Sequence, residues 1–472
     1  MRYLYSIFLI CCLTIFCWSA EARKIKGQVC CEKKGMSSVI VTDGKNFSQT
    51  RRNGTFRMEI EDSAKFVYII TPSGYAADWK TGYPQFYQWA ADKDDFRFDL
   101  IKTGGESDDY HLIAVGDPQP RSEKHFAKFS GEPLEDICKT GKELKHQVVG
   151  IAVGDICFDV YPLMENWKKE ITRTGFPFYV VPGNHDHNRQ YTNDIQSIEI
   201  YNQNFGPENH AFHIGKDLVL MLDNIIYHAR SSYEEGYTDG IVDWVGGLME
   251  YISDDADIYV VQHSPINGRY HRYDGPARMI TNHEKLLDAL SGHKVTFISG
   301  HNHISGNFQY GPDVTEHNLA AICGTWWDIY HCIDGTPSGY KVYTKQDGRL
   351  SWYYKSVGKE KDYQYQVFRP GETRENPDCI VINLWDYDDC WSVEWLEDGK
   401  AMGSMKKVKE YSPVHIAELT ATYARTGNKI PDYRQTIASD HYFAAKPSEN
   451  AKTVTILIKD RFGNEWKEVI EL

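Results

Sequence analysis

The sequence predicts an α/β core flanked by two small all-β domains. Three observations carry that prediction. Between residues 105 and 345, apolar runs of strand length alternate with stretches whose apolar residues recur at helical spacing. Five short polar segments rich in Asp, Asn and His follow such runs. On either side, over 23–104 and 346–472, short β-forming segments are separated by Gly-containing turns.

Residues 1–22 read as an export signal, with Arg2 as the positive start, an apolar run over 7–16, and Ala20-Glu21-Ala22 as a small-x-small cleavage site. The apolar run is short for a membrane span. The expectation is a periplasmic or secreted protein with no span after signal removal. Strands are expected at 26–29, 38–42 and 55–60, with turns at Asp43-Gly44 and Asn53-Gly54. The segment resembles the carboxypeptidase-regulatory-like sandwich in its Gly27-Gln28-Val29 start and its Asn53-Gly54-Thr55-Phe56 turn. Asn46-Phe47-Ser48 and Asn53-Gly54-Thr55 fit glycosylation acceptors.

In the central stretch, strands are expected at 111–115, 148–153, 177–181, 218–222, 258–261 and 295–298. Their near-continuous apolar character suits strands covered on both faces. Leu163, Trp167 and Ile171 mark one helix, and Trp244, Leu248 and Ile252 another. After residue 345, β-like runs return at 379–385 and 453–458.

Composition narrows the function classes. A chain of 472 residues with 41% hydrophobic and 25% charged residues supports two or three globular domains. A formal charge of -14 argues against nucleic acid or an anionic membrane as partner. Of 11 cysteines, eight follow the signal. Cys323 with Cys332, and Cys379 with Cys390, are the candidate disulfides of an oxidising compartment, with free buried thiols as the alternative.

The five polar segments are Gly116-Asp117-Pro118-Gln119, Gly154-Asp155, Gly183-Asn184-His185-Asp186, His263, and Gly300-His301-Asn302-His303. Each follows an apolar strand, and in open α/β sheets that edge is where ligands gather. Asp117 offers a hard carboxylate and Gln119 an amide oxygen. Asp155 can give one oxygen to each of two ions. Asn184 supplies a carbonyl oxygen, while His263, His301 and His303 supply imidazoles. Asp186 is the expected partner fixing the tautomer of His185. Asp159 is read as a helix cap.

This motif series resembles the calcineurin-like metallophosphoesterase superfamily over roughly residues 108–345. The resemblance implies a four-layer α/β/β/α sandwich and a phosphoester hydrolase with two divalent ions. By that likeness Asp117, Asp155 and His303 would hold one ion, and Asp155, Asn184, His263 and His301 the other. His185 would be the catalytic histidine. Gln119 stands where the family pattern usually has His. Phe158 stands where a phenolate Tyr marks purple acid phosphatases, so no purple iron(III) colour is expected. Mixed oxygen and nitrogen ligands suit Mn, Fe, Zn, Co or Ni. The expected reaction is in-line attack by a hydroxide shared between the ions on a small phosphate ester. Trp326, Trp327 and Tyr340 are candidate substrate contacts. A carbohydrate- or surface-binding scaffold with a weakly active site is the alternative, favoured only by Gln119. Oligomeric state is not legible.

Overall fold

The computed structural model describes residues 22–103, 107–229, 232–267 and 278–472. The expected signal lies outside them, except for Ala22, which opens the first strand. Among the described residues no helix is long and apolar enough to cross a membrane.

Two sheets form the centre. The first runs Phe178–Val180, Gln147–Ala152, Tyr110–Val115, Gly339–Gln346, Arg349–Ser356, and its first three strands are parallel. The second runs His210–Ile214, Asp217–Met221, Ile258–Val261, Val295–Ser299, Val314–Asn318, Gly306–Gln309, and its middle four strands are parallel. Parallel neighbours need crossovers. Helix Asp239–Met249 and helix His283–Ala289 lie in two of them. The sheets meet face to face: the Tyr110 hydroxyl donates to that of Tyr259 at 2.9 Å, and the Tyr343 hydroxyl lies 2.9 Å from His317 Nδ1. On the outer face of the first sheet, helix Leu163–Ile171 buries Leu163, Trp167 and Ile171, with Trp167 edge-on to Phe178. This is the expected layered α/β sandwich.

The N-terminal residues form two further sheets. Strand Thr55–Glu61 alternates inward Phe56, Met58 and Ile60 with polar residues, as a half-buried strand must. Its module is fused to the centre rather than tethered. Trp244 Nε1 donates to Thr42 Oγ1 at 3.4 Å, and Tyr83 packs edge-on against Phe205.

The hairpin Gly339–Ser356 carries the first central sheet past residue 345, so the expected boundary falls inside it. Beyond it stand two four-stranded sheets around a core that includes Ile380, Ile382, Val454, Ile456 and Ile458. The fourteen-residue helix Pro413–Thr426 was not read from the sequence. Ser412 caps its start, Pro413 occupies its first turn, and Gly427 ends it at φ 68°. This helix grips the centre: His415 Nε2 lies 2.9 Å from Thr325 Oγ1, and Glu418 meets His331 Nδ1 at 3.0 Å.

Candidate metal centre

The polar segments stand at the carboxyl ends of parallel strands from both sheets. Asp117 follows Tyr110–Val115, Asp155 follows Gln147–Ala152, and Asn184 with His185 follows Phe178–Val180. His263 follows Ile258–Val261, and His301 with His303 follows Val295–Ser299. Close approach of these loops depends on glycine. A Cβ on Gly183 would sit 2.2 Å from Asp155 Oδ1, and one on Gly300 would sit 2.3 Å from Asp117 Oδ2. The backbone is also strained where the polar side chains emerge. Asp117, Gln119, Asp155, His301 and His303 all have φ between 40° and 66°. Left-handed residues other than glycine each cost on the order of 1 kcal/mol and cluster at functional sites.

Oxygen and nitrogen atoms of Asp117, Asp155 and His263 all lie within 4.8 Å of one another, and all three residues are buried. The Val153 carbonyl lies 2.8 Å from His263 Nδ1, so that nitrogen donates outward and Nε2 is turned toward the cluster. This Nε2 lies 3.1 Å from Asn184 Oδ1 and 3.4 Å from Asp155 Oδ2. His301 Nδ1 approaches the same Nε2 at 3.1 Å, and His303 Nε2 lies 3.7 Å from Asp117 Oδ1. Gln119 Nε2 donates to Asp155 Oδ2, while its buried Oε1 has no hydrogen-bond partner.

These atoms suit divalent ions. Carboxylate, amide and imidazole atoms converge on one place, and the unpartnered buried Gln119 carbonyl oxygen needs an explanation such as an ion. Charge within the cluster is correspondingly perturbed. Burial pushes the Asp117 carboxyl up to about 7, reinforced by Asp155 and opposed by His263. For His263, burial acts downward, but the Asp155 carboxylate prevails and lifts the imidazole to about 10. Burial holds His301 below the usual histidine range.

Three family descriptions cover most of the chain. "N terminal of Calcineurin-like phosphoesterase" matches residues 23–103, "Calcineurin-like phosphoesterase" matches 110–305, and "C terminal of Calcineurin-like phosphoesterase" matches 316–466. The chain belongs to the calcineurin-like phosphoesterases. It is therefore a metal-dependent phosphoric ester hydrolase. Similar solved structures include a dimetal phosphatase from Danio rerio, at 13% identity, covering 53% of this chain and 99% of that one, with TM-score 0.35. A 5'-nucleotidase from Candida albicans gives 11% identity, 54% and 52% coverage and TM-score 0.34. A purple acid phosphatase from yellow lupin, Lupinus luteus, gives 10%, 68%, 67% and 0.40. No curated protein matches the chain.

In this phosphoesterase the structure corrects several sequence-based expectations. Asp186 does not meet the His185 ring. Its carboxylate accepts from the backbone N–H groups of Ile156, Cys157 and Gly183 at 3.0, 3.1 and 2.9 Å. The carboxylate at the imidazole is Asp159, whose Oδ1 lies 3.0 Å from His185 Nδ1. Asp159 caps nothing, because the following helix starts at Leu163 behind Pro162. Arg189, which sequence reasoning missed, braces the pair with Nε 2.9 Å from Asp159 Oδ1.

Of the aromatic candidates, only Trp326 stands at the centre, stacked on His303 with ring centroids 4.4 Å apart. Trp327 is buried, with Nε1 donating to the Pro118 carbonyl at 2.7 Å. Tyr340 is fully buried, and its hydroxyl donates to Asp136 at 2.5 Å in the outer helix layer. The eight described cysteines are free, so neither candidate disulfide is present. Glu235, beside His301 Nε2 at 3.3 Å, was also missed, because nothing in Tyr233-Glu234-Glu235 distinguishes it from a solvated hairpin.

Proposed function

We propose that this phosphoesterase is exported and hydrolyses a small phosphate ester at a centre of two divalent transition-metal ions. The convergence of Asp117, Asp155 and His263 within 4.8 Å carries the reading. Asp117, Gln119 and His303 would hold one ion, Asn184, His263 and His301 the other, and Asp155 both. When bound, such ions supply charge for the phosphoryl oxygens and lower the pKa of water.

The chain's own residues do the rest. The backbone N–H of His185 donates to Asp155 Oδ1 at 2.9 Å, tying the catalytic loop to the shared carboxylate. Asp159 Oδ1 stands 3.0 Å from His185 Nδ1 and fixes the ring through that nitrogen. Phe158 stacks on the ring at 4.0 Å and restricts its rotation. An imidazole held this way can deliver a proton to the departing oxygen. The pocket walls then decide between monoester and diester.

The test is metal content together with turnover of an aryl phosphate monoester and diester, using wild type, His185→Ala and Asp155→Ala. Bound metal with turnover lost in both variants supports the reading. A protein that stays inert after addition of Mn, Fe, Zn or Co overturns it. Export rests on the pattern of residues 1–22, and the mature N-terminus found by mass spectrometry decides it.

A further inference from the structure

Two of the imidazoles at the centre are backed by aromatic rings of one apolar cluster. Phe158 stacks on His185, and Trp326 stacks on His303. Trp326 packs with Ile304 and Ile333, while Phe158 and Ile437 pack against them. Ile437 comes from the C-terminal module, as does Tyr433, whose ring meets Trp326 at 5.2 Å and 89°. Trp326 is only 5% exposed, whereas Tyr433 is 39% exposed. Tyr433 therefore extends a covered aromatic wall to the solvent.

The wall is held in place from both sides. Arg434 is 3% exposed, and its guanidinium lies 5.7 Å from the Trp326 ring and 5.4 Å from the Tyr433 ring. It forms an ion pair with Asp328 and donates to the Tyr423 hydroxyl at 2.8 Å. On the other side, Trp326 and Trp327 are consecutive left-handed residues at φ 50° and 64°. Such a backbone is a genuine outlier for bulky side chains, and it persists only where the surroundings over-determine it. Ions treat all phosphate esters alike, so discrimination must come from a rigid surface on the alcohol side.

We propose that Tyr433 of the C-terminal module forms, with Trp326 and Phe158, a leaving-group subsite that selects esters whose alcohol carries a planar apolar ring. This inference rests on the phosphoesterase reading of the centre. A ring placed there drives water off the exposed aromatic surface and stacks on it.

The test compares phenethyl phosphate with ethyl phosphate in the metal-loaded full chain. Both release a primary alcohol, and they differ in the ring. Wild type should favour the phenethyl ester by about tenfold in kcat/KM. Tyr433→Ala should bring the ratio within about twofold while ethyl phosphate turnover holds, and Tyr433→Phe should keep the preference. No preference in wild type, a preference that survives Tyr433→Ala, or an equal loss on both esters overturns the subsite. Should wild type turn over neither ester, the aryl monoester and diester assay decides the phosphoesterase reading, and the dissociation constants of phenethyl and ethyl phosphate decide the subsite. Tighter phenethyl binding that disappears in Tyr433→Ala supports the subsite, and equal affinities overturn it.

Discussion

His185 Nδ1 lies 3.0 Å from Asp159 Oδ1, and that contact gives the imidazole its orientation. Arg189 Nη2 also lies 3.0 Å from the same nitrogen, so without the carboxylate the arginine would be left facing the ring. Asp159→Asn should lower kcat by about ten- to a hundredfold, the usual effect of losing an orienting partner of a catalytic histidine. Metal content should be unchanged, because Asp159 is 23% exposed and stands outside the ligand cluster. Full activity in the variant would return the orienting role to another group.

Asp186 should behave in the opposite way. Its three backbone N–H contacts bind the loop after Asp155 to the loop before His185. Replacing it by Ala strands those donors in a fully buried place, and unsatisfied buried groups cost about 1–3 kcal/mol each. Asp186→Ala should lose on the order of 3 kcal/mol in denaturant unfolding, with activity falling through lost fold. A stable but inactive Asp186→Ala would show a direct part in the chemistry.

These two aspartates show what was and was not legible in the sequence. The strand ends were readable because a parallel strand buried on both faces must be a continuous apolar run, so Asp117, Asp155, His263 and His301 stood out against it. Which carboxylate meets His185 was not, because Asp159 and Asp186 both lie near it in sequence or motif. In the fold the Asp186 carboxylate is taken up by the N–H groups of Ile156, Cys157 and Gly183, and Asp159 Oδ1 is the oxygen beside His185 Nδ1. Trp327 and Tyr340 failed for a related reason. An aromatic after a strand looks the same whether it lines a mouth or fills a core, and here the strand's two-sided burial took Tyr340 inward. Arg434 and Tyr433 lie over a hundred residues from Trp326, and no local pattern could connect them.

Glu316 predicts a pH dependence of stability that is separate from catalysis. Burial pushes its carboxyl up to about 7 from 4.5, against hydrogen bonds from the Tyr310 hydroxyl at 2.6 Å and the Ile266 N–H at 2.7 Å. Between those pH values the folded chain holds the proton and the unfolded chain has released it. The stabilisation is full below about 4.5 and lost as pH rises through about 7. Its size is on the order of 3 kcal/mol. Relative to Glu316→Gln, wild type should lose that much unfolding free energy between about pH 4.5 and about pH 8. Parallel pH profiles for the two proteins would show that Glu316 titrates normally.

Glu235 gives the sharpest test of how the ion-binding imidazoles are held. Its Oε1 lies 3.3 Å from His301 Nε2 and accepts from Ser264 Oγ at 3.3 Å, so one carboxylate spans the loops that carry His301 and His263. His301 Nδ1 is then left toward His263 Nε2, at 3.1 Å. A carboxylate behind a ligating imidazole fixes its tautomer and raises its basicity, and losing such a partner costs about ten- to a hundredfold in metal affinity. Glu235→Gln keeps the shape and loses the charge. Its affinity for Mn or Zn, measured by competition with a chromogenic chelator, should fall by about that factor, while thermal stability of the chelated protein stays within about a degree. Unchanged affinity would mean that the Tyr233–Glu235 hairpin end covers the centre without shaping it, and that His301 is oriented by its left-handed backbone alone.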